Sequence, residues 1–192
     1  MGRELELKYR ADDDRLAAIE ALYGDFTPIT METTYYDTPA GDFRRLHWTL
    51  RRRFENGRSV CTLKTPLSDG SRGEWETESP SIEEAIPVLC NLGAPELLVI
   101  LTEGGVAPYC GAKFLRLAKL LTLEHASVEL ALDKGVLLGG GKEEAFAEVE
   151  AEYKGGSEEA AVAFAETLAR QFGLIPESRS KVVRAMALAQ TT

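Results

Sequence analysis

The stretch Arg3-Glu4-Leu5-Glu6-Leu7-Lys8-Tyr9-Arg10 decides how the rest of the chain is interpreted. From Glu4 to Arg10, charged residues alternate with apolar or aromatic ones, which is the two-residue period of a β-strand and not the period of a helix. Glu4, Glu6 and Lys8 therefore share one face of the predicted strand, and the apolar residues share the other. Two carboxylates spaced in this way stand about 7 Å apart, close enough to bind one cation together.

Length and composition set the class of protein. The chain has 192 residues, of which 44% are hydrophobic, enough for one domain with an ordinary core. Its formal net charge of −9 argues against a general binder of nucleic acid or of an anionic membrane. Any anion that binds here must therefore meet a local cluster of basic residues.

Residues that could ligate soft metals are scarce. Cys61, Cys90 and Cys110 follow no disulfide or zinc spacing, so we expect reduced, structural thiols. With only two histidines, a metal should be a hard ion held by oxygen ligands.

No signal peptide or membrane-spanning run is evident, which predicts a cytoplasmic protein.

Alternation and turn residues predict about eight short strands and several amphipathic helices. The predicted strands are 3–10, 31–37, 47–54, 58–65, 72–78, 113–121, 123–132 and 144–153, with a short one at 136–138. The predicted helices begin after Asp12, Ser81 and Ser157, with shorter ones at 95–101 and 178–189. We expect Asp133-Lys134-Gly135 to form a turn.

The charged faces of these strands differ in sign. Acidic residues concentrate on strands 3–10 and 144–153, whereas basic residues concentrate on the strands that carry Arg51, Arg53 and Lys64. Neighbouring carboxylates need a cation, and buried guanidinium groups need an anion. Two architectures fit this pattern: an open antiparallel sheet with its charged face in water, or a barrel with the charged faces inward and helices outside.

A series of motifs, all in the same order along the chain, resembles the CYTH family, the triphosphate tunnel metalloenzymes. Glu4-Leu5-Glu6-Leu7-Lys8 resembles the family's Glu-x-Glu-x-Lys signature. The later matches are Tyr35-Tyr36-Asp37-Thr38, Leu50-Arg51-Arg52-Arg53, Thr62-Leu63-Lys64, Arg72-Gly73-Glu74, Arg116, the segment 129–135, Glu148-Val149-Glu150-Ala151-Glu152, and Ser180-Lys181 followed by Arg184. Within the family, the length and the closing segment are most similar to bacterial inorganic triphosphatases.

The resemblance implies an α+β fold, an eight-stranded antiparallel closed β-barrel with helices packed on the outside, and Mg²⁺ or Mn²⁺ as cofactor. The implied metal ligands are Glu4, Glu6, Asp133, Glu148, Glu150 and Glu152. The implied substrate-binding residues are Lys8, Arg51, Arg53, Lys64, Arg116, Lys181 and Arg184. The implied catalytic residues are Lys8, Glu4 and Glu6. Whether Arg72 and Glu74 form an internal ion pair or contact the ligand is left open.

The resemblance also implies a reaction, the hydrolysis of inorganic triphosphate to pyrophosphate and phosphate by in-line attack of water. The alternatives are a class IV adenylate cyclase, a thiamine or nucleoside triphosphatase, and a non-catalytic polyphosphate-binding module. The expected partner is a small-molecule triphosphate, with no nucleic acid and no membrane. We expect residues 1–192 to form a single CYTH domain, and we hypothesise that a helical CHAD domain follows it in a longer protein.

Overall fold

The computed structural model describes the backbone of residues 2–3 and, with their side chains, residues 5–68 and 72–190. Glu4, an expected metal ligand and catalytic residue, lies outside the described residues. The strands are β1 (Gly2–Arg3), β2 (Glu6–Arg10), β3 (Thr27–Asp37), β4 (Thr49–Glu55), β5 (Arg58–Pro66), β6 (Arg72–Glu78), β7 (Ala107–Thr122), β8 (Ala126–Gly139), β9 (Lys142–Gly156) and β10 (Ile175–Pro176). The helices are α1 (Asp13–Tyr23), α2 (Asp42–Arg45), α3 (Ile82–Asn91), α4 (Leu97–Thr102), α5 (Glu158–Phe172) and α6 (Lys181–Gln190).

One antiparallel sheet contains all ten strands of the described residues, in the order β1-β6-β5-β4-β3-β7-β8-β9-β2-β10. This confirms the expected α+β fold with a large antiparallel sheet. Consecutive strands of the chain lie at or near the two ends of this order: β1 pairs with β6 at one end, and β2 pairs with β9 near the other. Counting β1 and β2 as one interrupted strand and leaving out the two-residue β10 gives the expected eight.

The expected ring of hydrogen bonds is not complete, which corrects one detail of the prediction. No ladder among the described residues joins β6 to β2, since the residues that pair with β6 are 2 and 3 and those that pair with β9 are 6–10. Among the described residues, the two sides of the sheet are therefore connected at this point by the polypeptide backbone between β1 and β2, and not by a ladder of hydrogen bonds.

Helices cover the apolar face of the sheet in two places. Under α1 and α5, Ile19 and Leu168 pack against Val149 of β9 and its neighbours. Under α3 and α4, Leu89 and Leu98 pack in a second core. Side chains that cap the first turns start these helices as predicted: Asp12 accepts a hydrogen bond from the backbone N–H of Arg15, Ser81 from that of Glu84, and Ser157 from that of Ala160. None of the described helices combines the length and apolar character that a membrane crossing requires.

Helix α6 differs from the others because it packs on the charged face. Its Val182 and Ala185 join a third core with Phe114 and Leu137, which alternate along β7 and β8 with residues of the apolar face. The backbone of α6 lies directly on β8, since a Cβ at Gly139 would stand 2.1 Å from the carbonyl oxygen of Ala185. In addition to the helices packed on the outside, as expected, α6 thus brings its first residues to the inner face of the sheet.

The turn predicted at Asp133-Lys134-Gly135 is wrong. These residues lie in the middle of β8, where Asp133 pairs with both Arg116 of β7 and Glu148 of β9. Gly135 is required by packing and not by a turn, because a Cβ there would stand 2.0 Å from the carbonyl oxygen of Lys113. The composition of a turn was therefore misleading where two strands approach each other closely.

Candidate active site

The charged face of the sheet borders a cavity of about 1620 Å³. Of the residues expected to bind metal or substrate, those that line it are Glu6, Lys8, Arg51, Arg53, Lys64, Arg116, Glu150, Glu152 and Lys181. They come from five different strands and from α6. The architecture with inward charged faces is therefore the one adopted.

Strand register explains why these side chains meet. In antiparallel strands, residues directly opposite each other project to the same face. Lys8 of β2 is opposite Glu150 of β9, and Glu6 is opposite Glu152. On the other side of the cavity, Arg51 of β4 is opposite Thr62 of β5, and Thr49 is opposite Lys64. The alternation observed in the first strand is thus repeated around the sheet, with acidic residues on one side and basic residues on the other.

Three buried carboxylates form what we call the carboxylate cage: Asp133, Glu148 and Glu150. Each contributes one oxygen atom to a group whose members lie within 4.8 Å of one another. The ammonium of Lys181 is 2.8 Å from Asp133 Oδ2 and 2.7 Å from Glu150 Oε1, and it also contacts Glu148. The cage therefore already holds a cation, which the protein supplies itself.

Two arginines complete the neutralisation of the cage. Arg116 donates from Nε and Nη2 to the two carboxylate oxygens of Asp133, at 2.8 and 2.7 Å, and also contacts Glu150. Arg184 donates to Glu148. Three carboxylates thus face three cationic side chains. Arg184 contacts the cage through Glu148 and is not among the residues that line the cavity.

The pKa values in the cage follow from burial and from these contacts. Burial alone would raise the pKa of Glu150, but Arg116 and Lys181 hold it well below its usual value. Burial would lower the pKa of Lys181, yet Glu150 and Asp133 raise it above its usual value. For Glu148, burial prevails and raises the pKa. Lys181 consequently stays charged at neutral pH.

The opposite side of the cavity carries arginines that form no ion pair among the described contacts. Arg53 is only 6% exposed, and its one hydrogen bond within the described part of the chain goes from Nε to Thr33 Oγ1 at 2.7 Å. Burial, followed by the nearby charge of Arg51, lowers the pKa of Arg53 to about 10. The Nε of Arg51 is buried and also without a partner. Buried guanidinium groups in this state have a strong requirement for an anion.

Arg72 joins this basic side. It lines the cavity, and its buried Nε has no hydrogen-bond partner. Glu74 instead forms an ion pair with Lys64, at 3.6 Å. The question left open by the sequence is thus answered in favour of a cavity-facing arginine, since Arg72 makes no ion pair with Glu74 among the described contacts. Arg72, Glu74 and Glu76 occupy alternate positions of β6 and so share a face, and this pattern is the signal that could have identified Arg72 as a cavity residue.

A second set of acidic residues lies further along the same face, and we call it the acidic row: Glu6, Glu129 and Glu152. Strand register places the three opposite one another on β2, β8 and β9. All three line the cavity and are partly exposed. Glu152 also forms an ion pair with Lys154, at 2.8 Å. Glu129 is not among the expected ligands, although it is the first residue of the segment 129–135 that resembles a motif of the family.

The two acidic groups differ in how well they suit a divalent metal. Carboxylate oxygens are the donors that Mg²⁺ and Mn²⁺ prefer, so both have the right chemistry. In the cage, however, Lys181 occupies the position between the carboxylates that an ion would need. In the acidic row, the three carboxylates are partly exposed and line the cavity, and Lys154 pairs with Glu152 at the side of the row. The residues of the row therefore fit a metal, and those of the cage fit one only if Lys181 moves away.

The inner face of the antiparallel sheet combines arginines that form no ion pair among the described contacts with a row of carboxylates, which is chemistry suited to binding an anion and a cation together. The comparison with known families agrees with this interpretation: the CYTH domain profile matches residues 2–186. The chain belongs to the CYTH domain family.

The individual relatives have low sequence identity to this chain. An inorganic triphosphatase of Haemophilus influenzae is 29% identical over 195 aligned residues, which cover 98% of this chain and 55% of that protein. The chain thus spans about half the length of this curated relative. Two solved structures share the fold at 19% identity: an adenylyl cyclase candidate from Hippeastrum with dominant triphosphatase activity (TM-score 0.64, covering 94% of this chain and 93% of the other) and an adenylate cyclase candidate from Bacillus halodurans (TM-score 0.67, 96% and 98%).

Proposed function

We propose that this chain is a metal-dependent hydrolase that cleaves inorganic triphosphate to pyrophosphate and phosphate in the charged cavity. The observation that carries the proposal is Arg53, a buried guanidinium that no carboxylate of the described residues neutralises. Arg51, two residues away on β4, and Arg72 of β6 also line the cavity, and each has an unpartnered Nε. A linear triphosphate offers several anionic oxygens in a row, which matches three guanidinium groups better than a single carboxylate would.

The division of labour among the residues follows from their contacts. Arg51, Arg53, Arg72 and Lys64 bind phosphate oxygens, and Lys8 faces the same cavity from the acidic side. Lys181 and Arg116 border the cavity as well, but their charge is shared with the carboxylate cage. We infer that they hold that side of the cavity in place and contact substrate with their remaining donors. Arg184 supports the cage through Glu148.

The acidic row is the proposed metal site, with Glu6, Glu129 and Glu152 as ligands and Glu4, which lies outside the described residues, as a further one. The chemistry that Mg²⁺ or Mn²⁺ supplies when bound is neutralisation of phosphate charge and activation of water. Asp133, Glu148 and Glu150 are assigned to the ion pairs of the cage. This revises the expectation that they are metal ligands.

In the proposed reaction, a water oxygen attacks the terminal phosphorus in line with the bond to the bridging oxygen. That bond breaks, pyrophosphate leaves with the bridging oxygen, and one proton passes to solvent. Arg51 and Arg53 stabilise the charge that develops on the phosphoryl and leaving oxygens, and Arg53 is fixed by Thr33 and shielded from water before the reaction starts. Lys8 orients the attacking water or the terminal phosphate.

Phosphate release from tripolyphosphate, ATP and thiamine triphosphate, each with Mg²⁺ and with Mn²⁺, tests the proposal. We expect turnover with tripolyphosphate that exceeds turnover with the organic triphosphates and that stops when the metal is chelated. Cyclic AMP formed from ATP would identify an adenylate cyclase instead, and tight binding without turnover would identify a polyphosphate-binding module. Residues 1–192 are proposed to act as one CYTH domain in the cytoplasm.

A further inference from the structure

Thr33 and Arg53 form a buried pair across two strands of the cavity. They are directly opposite each other on β3 and β4. Their exposed fractions are 3% and 6%, and the Nε of Arg53 donates to the Thr33 hydroxyl at 2.7 Å. The guanidinium also stands 5.5 Å from the centre of the Phe114 ring. Arg53 is thus held at one edge by a hydroxyl and on one face by an aromatic ring.

This contact determines which edge of the guanidinium remains available. A guanidinium can bind an anion side-on, through Nε and one terminal nitrogen, or end-on, through its two terminal nitrogens. Because Thr33 accepts the hydrogen bond from Nε, the side-on mode is blocked in Arg53. Arg51 provides the contrast, since its Nε has no partner and its side-on edge stays open.

We propose that Thr33 is a positioning residue for substrate binding: its hydroxyl fixes Arg53 so that the two terminal nitrogens form an end-on fork to one phosphate group of the triphosphate. The inference rests on the proposed function. Thr33 acts through Arg53 and makes no contact with the substrate. The fixed fork lowers the entropy lost on binding, since fewer orientations of Arg53 have to be given up when the anion arrives.

The kinetic test compares Thr33→Val, which has nearly the same shape but no hydroxyl, with Thr33→Ser, which keeps the hydroxyl. We expect Thr33→Val to raise the KM for tripolyphosphate about tenfold, the size expected for one hydrogen bond to a charged group, with little change in kcat. Thr33→Ser should behave like the unmodified protein. Thr34→Val is the matched control, because Thr34 is the next residue along β3 and successive side chains of a strand project to opposite faces.

A double-mutant cycle separates positioning from a general loss of structure. In an Arg53→Ala background, Thr33→Val should have no further effect on kcat/KM, because the side chain that it positions is gone. If Thr33→Val leaves KM unchanged, or if its effect persists in full without Arg53, the inference is overturned while triphosphate hydrolysis stands.

A spectroscopic measurement keeps the inference testable even if the proposed function fails. The Nε–H proton of Arg53, observed by ¹⁵N-resolved NMR without substrate, should exchange slowly with water in the unmodified protein and in Thr33→Ser, and fast in Thr33→Val. Equal exchange in all three would overturn the positioning role. Failure of the unmodified protein to bind or cleave tripolyphosphate would overturn the proposed function, and with it the end-on fork, whatever the exchange rates are.

Discussion

Lys181 Nζ lies 2.7 Å from Oε1 of Glu150, in a site where the side chains alone would suggest a metal ion. The same ammonium contacts Asp133 and Glu148. Since α6 begins at Lys181, this contact ties the helix to the inner face of the sheet. The protein therefore offsets the repulsion between three buried carboxylates with its own cation, and the proposed metal site is the acidic row.

Lys181→Gln is expected to destabilise the fold. Removal of one partner from a buried ion pair leaves an uncompensated charge, at a cost of about 3–5 kcal/mol. Urea unfolding should show this loss, whereas the control Lys134→Gln should change stability by less than about 0.5 kcal/mol, because Lys134 and its partner Asp13 are both exposed. Equal effects of the two substitutions would mean that Lys181 does not neutralise the cage.

Glu152→Gln and Glu6→Gln should each abolish metal-dependent turnover, because they remove charge from the proposed ligands in the acidic row. Calorimetric titration with Mn²⁺ should show the loss of affinity directly. Glu32→Gln is the control, since Glu32 is exposed and pairs with Lys113 at 3.8 Å. Asp133→Asn should retain Mn²⁺ affinity. Loss of Mn²⁺ binding in a folded Asp133→Asn, with retention in Glu152→Gln, would move the metal site into the cage.

Glu177 provides a stability contribution that depends on pH. Hydrogen bonds from the side chain and backbone of Arg179 lower its pKa from 4.5 to about 2. A carboxyl whose pKa is lower in the folded state stabilises the fold above the unfolded value, and this contribution is lost as the pH falls from about 4.5 towards 2. Glu177→Gln should therefore be less stable than the unmodified protein at pH 7, by about 1 kcal/mol.

Thermal unfolding between pH 7 and pH 2 tests this contribution. The difference between Glu177→Gln and the unmodified protein should shrink as the pH falls below about 4.5. Glu124→Gln, a substitution at a side chain that is 87% exposed, should show little difference at any pH. A difference that stays constant down to pH 2 would show that folding does not lower the pKa of Glu177.

The sequence predicted the parts of this site that depend on parity. Alternation in the first strand and at Arg51 and Arg53 was enough to place the charged side chains of each strand on one face, and the family resemblance implied that this face is the inner one. The sequence could not show which charges neutralise each other, because the partners are far apart along the chain. Glu150 is separated from Lys181 by 31 positions in the sequence and from Arg116 by 34. The pairing of acid with base through α6 depends on the packing of a helix on the charged face, and nothing in the periodicity of α6 indicates which face of a sheet it will cover.

The affinity for tripolyphosphate of Arg53→Ala, compared with Arg52→Ala, tests most directly the central claim that a polyanion completes the buried basic side of the cavity. Arg52 projects to the other face of β4, where its Nε donates to Ser59 and its guanidinium stacks on Phe54. By calorimetry, Arg53→Ala should weaken binding by about a hundredfold, the size of a lost charge-assisted contact, and Arg52→Ala by less than twofold. Equal affinity of the two folded variants would contradict the claim.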